Sequence, residues 1–273
     1  MWDYAEKTVV VVGGTSGINR GIAESFARAG ARVAVASRSQ EKVNDTVDAL
    51  THLGADSWGF SADVRDAEAI ALGLEQVFSR WGAIDVLVSG AAGNFPALAT
   101  QMSAKGFRSV VEIDLLGSFH VLQAAYPYLR KPGASIVNIS APQAYLAMQG
   151  QSHVCAAKAG VDMLTRSLAL EWGGEGLRVN SVAPGPIDGT EGMRRLAPSA
   201  ALRERVTDSV PLRRLGTPDD IGNACLFLCS EFASYISGVV LPVDGAWSLS
   251  GARGISDLLS TVLRENASKP STS

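Results

Sequence analysis

The run Val9-Val10-Val11-Val12-Gly13-Gly14-Thr15-Ser16-Gly17-Ile18-Asn19 decides the fold. Four valines in succession suit a strand buried on both faces, since neither side of the run is polar. The glycines that follow end the strand and let another group approach the main chain closely. Gly17–Ala29 then reads as a helix. A strand, a glycine-rich turn and a helix in that order offer backbone N–H groups and a helix N-terminus to a pyrophosphate. Many turns use glycine, so the strand–turn–helix setting carries this reading. Gly13, Thr15, Ser16, Gly17 and Ile18 are the residues so placed.

Strand and helix alternate along the rest of the chain. Arg32–Ala36, Ser57–Ser61, Val86–Ser89, Ser135–Ser140, Arg178–Ala183 and Val239–Val243 read as strands. Gln40–Leu53, Asp66–Arg80, Phe107–Leu129, Gly150–Trp172 and Pro218–Ser230 read as helices. Apolar strands linked by helices imply a parallel sheet covered on both faces. The expected fold is therefore α/β: one doubly wound, Rossmann-like parallel sheet of seven strands in a single domain, residues 1–249. A tail, 250–273, holds one amphipathic piece, Ile255–Leu263, and ends in a polar run expected to fray.

Composition narrows the function classes. The chain has 273 residues, 47% hydrophobic and 19% charged, which is globular and sufficient for a large core. A net charge of −3 gives no basic footprint for nucleic acid. Cys225 and Cys229 lie four apart on an expected helix, where core packing as small hydrophobes is expected over any ligand role. The three histidines form no metal-spaced cluster, so no metal is expected. The apolar run Thr8–Val12 is too short for a signal peptide, and no window is long and apolar enough for a membrane span. The chain carries no Ser-Lys-Leu address, and a cytoplasmic protein with no membrane partner is the expectation.

Two further sites carry chemistry. The second strand ends at Ala36-Ser37-Arg38. An acidic residue there would accept from a ribose hydroxyl, whereas Ser37 and Arg38 suit a 2′-phosphate and point to NADPH. A solvated surface arginine is the alternative. On the helix Gly150–Trp172, Val154, Ala157, Val161, Leu164 and Leu168 recur at helical spacing around Lys158. Burying a lysine there is costly unless it meets a ligand or a carboxylate. The position one turn earlier is Val154.

From roughly residue 7 to 249 these motifs, in this order, resemble the short-chain dehydrogenase/reductase family. The spacing Gly13-x-x-x-Gly17 matches its cofactor loop, with Asn19 where the family has a third glycine. The resemblance implies that Asp63 faces the adenine amino group, with Val64 beside it. It implies that Ser89 to Phe95, through Ala91, replaces the family's Asn-Asn-Ala-Gly turn. Pro184-Gly185-Pro186-Ile187 would lie against the nicotinamide, Ile187 meeting its carboxamide, though a Pro-Gly-Pro can also be a stiff turn and no more. The family pairs a tyrosine with a lysine four residues later. Here the lysine is Lys158, and the tyrosine position is Val154. Ala141 holds the serine position and Asp114 the asparagine position.

Two accounts fit these changes: a non-catalytic NADP-binding module, or a different reaction. Carbonyl reduction needs an acid at the nascent alkoxide. Reducing a conjugated thioester sends hydride to the far carbon and a proton to carbon, and that requires no phenol at the carbonyl. Ala91 to Phe95, Ile113-Asp114, Gly150 to His153 with Ala157-Lys158, Glu171-Trp172-Gly173 and Ala183 to Gly192 resemble 2,4-dienoyl-CoA reductases, the peroxisomal type above all. The resemblance implies NADPH-dependent reduction of a 2,4-dienoyl-CoA, an acyl-CoA partner, and a homotetramer formed through the Phe107 and Gly150 helices. Lys158 would hold the nicotinamide ribose and, with Asp114, order a water that protonates the dienolate; the alternative for Asp114 is a helix residue satisfied by nearby backbone. Asn94 and Gln151 would bind the thioester oxygen. Phe95 would line the acyl channel or join the core, and Asp244 would supply a second carboxylate or a structural turn. His153 would pack or cap its helix. A substrate lid is expected at about 188–211, with Arg194 and Arg195 either toward CoA phosphates or on a solvated face. A carbonyl reductase with an unusual acid is the remaining enzyme reading.

Overall fold

The first strand, β1 (Thr8–Val12), is buried along its whole length, and its alternate valines enter two separate cores. Val9 and Val11 pack with Ile22, Phe26 and Ile221 on one face, Val10 and Val12 with Ile70, Leu74 and Leu122 on the other. The two-residue side-chain period of a strand produces this division. The computed structural model describes residues 2–197 and 199–252.

Six more strands join β1: β2 (Arg32–Ser37), β3 (Ser57–Ser61), β4 (Val86–Ser89), β5 (Ser135–Ile139), β6 (Arg178–Pro184) and β7 (Val240–Val243). They form the expected seven-stranded sheet, in the order β3-β2-β1-β4-β5-β6-β7, with every pairing parallel. The chain steps outward from β1 to β3 and then crosses back to β4, so Val9 pairs with both Val33 and Val86. Where the strand order reverses, the βα loops part at the carboxyl ends of the strands and leave a crevice.

Nine α-helices are described: α1 (Gly17–Arg28), α2 (Gln40–His52), α3 (Ala67–Trp81), α4 (Ala104–Val111), α5 (Gly117–Ala125), α6 (Ser152–Trp172), α7 (Glu191–Leu196), α8 (Ala200–Ser209) and α9 (Pro218–Cys229). Several starts follow from capping chemistry. Ser39 accepts from Lys42 N and Asp66 from Ala69 N, while Thr217 and Asp220 cap one another's backbone ahead of Pro218. Helices α1 and α9 touch almost backbone to backbone. A Cβ on Gly21 would stand 2.2 Å from Pro218 Cβ, and one on Gly222 2.1 Å from Ser25 Oγ.

Some boundaries differ from expectation. The single helix expected over Phe107–Leu129 starts earlier, where Ser103 caps α4, and is interrupted at Glu112–Leu116 by one π-helical turn. It ends at Ala125, followed by a 3₁₀ turn at Tyr126–Tyr128. Helix α6 begins at Ser152 because Gly150 has φ +74°, outside the helical region. Helices α7 and α8 fall within the segment expected as a lid; α8 has no buried residue, so it lacks an apolar stripe that would announce it. The amphipathic piece Ile255–Leu263 lies outside the described residues. No described helix is long and apolar enough to cross a membrane.

Candidate active site

The crevice is a cavity of about 600 Å³ running across the carboxyl ends of the strands. At one wall the glycine turn comes so close to the turn after β4 that side chains are excluded. Gly13 has φ +80°, and a Cβ there would stand 2.8 Å from Ala91 N; one on Gly14 would stand 2.7 Å from Val11 O. Ser16 precedes α1 without a side-chain cap bond, so the first N–H groups of the helix face the crevice with Thr15, Gly17 and Ile18. This bare-backbone cradle fits a dinucleotide pyrophosphate.

The far end is cationic. Ser37, Arg38, Ser39 and Lys42 line it, and neither Arg38 nor Lys42 is ion-paired among the described residues. Asp63 and Val64 stand beside them. Arg65 grips Asp63 through Nε at 3.0 Å and Nη2 at 2.6 Å. Those hydrogen bonds hold the Asp63 carboxyl down at about 2, so it stays ionised. Ala91, Pro184, Gly185 and Ile187 complete the expected cofactor wall.

The π turn sets the position of Asp114. Gly117 N–H reaches back five residues to Glu112 O, and a Cβ on Gly117 would stand 2.6 Å from Val64 Cγ2. Asp114 is 1% exposed; its Oδ1 accepts from Gly93 N at 2.7 Å, and its Oδ2 lies 3.4 Å from Lys158 Nζ. Lys158 Nζ also donates to Ile139 O at 2.9 Å. An ammonium has three N–H donors, so one remains for a ligand in the crevice. Asp114 thus offsets much of the cost of burying Lys158. No tyrosine lines the crevice among the described residues. Val154 is buried with Val110 and Ala157, and Ala141 lines the wall where the family serine would stand.

Asn94 and Gln151 both line the crevice. Gln143 Nε2 donates to Gln151 Oε1 at 2.8 Å, which fixes the second amide. Phe95 and Asp244, each with two expected placements, make the contacts of the core and of a turn. Phe95 packs against the Val154 cluster with its ring centroid 4.7 Å from His153, and does not line the crevice. Asp244 accepts from Ala246 N at 2.9 Å and Ser248 N at 2.8 Å, so both oxygens brace a turn, and the residue borders a separate cavity of about 240 Å³. His153 is fully buried with neither ring nitrogen hydrogen-bonded; it packs and does not cap α6. Arg194 pairs with Glu191 on an exposed face, and the Arg195 side chain lies outside the described residues.

Lys42, Gln143 and Asp162 were missed at the level of sequence. Lys42 lies in the first turn of α2, just after Arg38, and Asp162 follows Lys158 by four on α6, a spacing that puts that pair on one face of the helix. Asp162 is 4% exposed with Oδ1 unpartnered. Burial raises its pKa, an effect that the nearby Ser140 hydroxyl, Arg166 and Lys158 only partly offset. The described residues contain no group of three metal-binding side chains.

Residues 12–248 match the family model described as "Enoyl-(Acyl carrier protein) reductase". A peroxisomal 2,4-dienoyl-CoA reductase of Arabidopsis thaliana is 39% identical, over 97% of this chain and 93% of its own. The Rattus norvegicus protein of the same name is 44% identical, over 88% and 83%. A solved short chain dehydrogenase of Bacillus anthracis superposes with a TM-score of 0.80 at 38% identity, over 89% of this chain and 96% of that one. With this fold, this glycine turn and these relatives, the chain belongs to the short-chain dehydrogenase/reductase family, whose members use a nicotinamide cofactor.

Proposed function

We propose that the protein reduces a 2,4-dienoyl-CoA to a 3-enoyl-CoA with NADPH. The carrying observation is the buried Lys158–Asp114 pair, 3.4 Å apart, at a crevice wall where no phenol stands among the described residues. Relatives of that name at 39% and 44% identity support the same reading. Reduced nicotinamide, when bound, supplies a hydride to the far carbon of the conjugated system.

The chain's own residues do the rest. The bare loop at Gly13 and Gly14 and the α1 N-terminus hold the pyrophosphate, and Arg38 with Lys42 holds the 2′-phosphate that distinguishes NADPH from NADH. Asn94 and Gln151 hold the thioester oxygen, where negative charge gathers as the dienolate forms. Lys158 anchors the ribose and turns its remaining N–H toward a water. Asp114 holds that ammonium in place, and the water delivers a proton to the α-carbon. Val154 leaves the carbonyl oxygen without an acid, so the electrons stay delocalised until carbon is protonated. Helices α7 and α8 cover the acyl end, and the protein works as a homotetramer.

The test mixes purified protein with NADPH and a 2,4-dienoyl-CoA, follows the loss of NADPH absorbance and identifies the product by mass. Stoichiometric formation of the 3-enoyl-CoA supports the reading. Turnover of a ketone panel in its place would make the protein a carbonyl reductase. Tight NADPH binding with no turnover of either would make it a non-catalytic module.

A further inference from the structure

Asn19 and Gly90 face one another across the crevice wall. Asn19 lies in the first turn of α1, where the family loop has glycine; Gly90 lies in the turn after β4, at the place of an asparagine in the family's Asn-Asn-Ala-Gly. Each position therefore carries the residue expected at the other. Asn19 Nδ2 donates to Gly90 O at 2.7 Å. A Cβ built on Gly90 would stand 2.5 Å from Asn19 Nδ2, 2.6 Å from Oδ1 and 2.7 Å from Cγ. The amide of Asn19 thus fills the volume that any side chain at residue 90 would need. Both residues line the crevice. The same junction is joined by Gly90 N donating to Val12 O at 3.0 Å and by the contact of Gly13 with Ala91.

We infer that Asn19 and Gly90 form one reciprocal clamp: the amide is transposed from the β4 turn to α1, and it fixes the spacing between the two loops that hold the dinucleotide. Asn19 is a positioning residue in this scheme. It acts through the Gly90–Ala91 backbone and the glycine loop, and it makes no hydrogen bond of its own to Lys158 or Asp114. Without the amide the turn is tied to α1 only through the strand backbone. With side chains at both positions the two loops are forced apart. The clamp joins the two loops at the pyrophosphate, a group that NADPH and NADH share, so it serves both alike. The inference rests on the nicotinamide-binding reading of the crevice, and it is independent of which substrate is reduced.

The experiment measures equilibrium binding of NADPH and NADH, by quenching of protein fluorescence, together with Tm. The variants are Asn19→Ala, Asn19→Gly, Gly90→Asn and the double exchange Asn19→Gly/Gly90→Asn. Losing the amide is expected to weaken both cofactors by the same factor, roughly five- to tenfold. Gly90→Asn alone is expected to weaken them more, because two side chains then compete for one space. The double exchange is expected to return affinity to within about threefold of the parent. Binding by Asn19→Ala equal to the parent overturns the inference. So does a double exchange that binds no better than Gly90→Asn while folding with a Tm like that of Asn19→Gly. A loss confined to NADPH would overturn it as well. If cofactor binding follows this pattern and dienoyl-CoA is not reduced, the clamp stands and the proposed reaction falls.

Discussion

Lys158 is held by two fixed acceptors, Ile139 O and Asp114, and this leaves one N–H for the ligand side. Its neighbour Asp162 is a second buried carboxylate on the same helix, and burial raises its pKa. A raised folded-state pKa means that the native protein binds this proton more tightly than the unfolded chain does. Its contribution to stability is therefore most favourable below the ordinary carboxylate range and is lost as pH rises through the raised value. Asp162→Asn removes that penalty. The difference in Tm between Asp162→Asn and the parent is expected to move in the variant's favour from pH 4 to pH 7; a difference constant with pH would contradict it. At the other end of the crevice, neither Arg38 nor Lys42 is ion-paired among the described residues. Arg38→Ala is expected to raise the Kd for NADPH roughly 10- to 100-fold, the range for a charged hydrogen bond, with little change for NADH. Equal losses for the two cofactors, measured by titration, would remove Arg38 from 2′-phosphate recognition.

The elements divide into those the sequence announces and those it conceals. Val9 to Val12 and the helices with buried stripes are legible because burial on a regular period leaves a pattern. The π turn at Glu112–Leu116 leaves none: its residues suit an α-helix, and only the packing of Gly117 on Val64 shows where the extra residue enters. That turn positions Asp114, so the residue was legible and its geometry was not. Phe95 and Asp244 mark a similar boundary. Motif position brings both near the site, but a ring or a carboxylate can serve either the core or a ligand, and only tertiary contacts decide. Here they decide for His153 and for the turn at Ala246–Ser248. The α1–α9 contact is likewise invisible along the chain. Gly21→Val is expected to cost about 1–3 kcal/mol by overpacking, read as a Tm several degrees lower. An unchanged Tm would mean that the two helices separate freely.

Across the whole molecule, the outer faces of α5 and α6 expose Phe119, Met163 and Leu170, with Leu116 beside them in the π turn. Exposed apolar side chains on adjoining helices suit contact with a second copy. The mass in solution, by light scattering, is expected to be four times that of one chain. Met163→Glu combined with Leu170→Glu is expected to yield smaller species, and a parent that is monomeric at micromolar concentration would contradict the assembly. The sheet's reversal between β1 and β4 positions the cofactor wall, while β5, α6 and the π turn bring Ile139, Lys158 and Asp114 to one point beside it. The proposed chemistry depends on that point, with Val154 in place of a phenol. Its most direct test compares kcat of Asp114→Asn with that of the parent on a 2,4-dienoyl-CoA, with the Kd for NADPH measured alongside. The expected result is a fall of roughly 10²-fold or more in kcat with cofactor affinity largely kept. Turnover equal to the parent's would contradict the lysine–aspartate–water scheme.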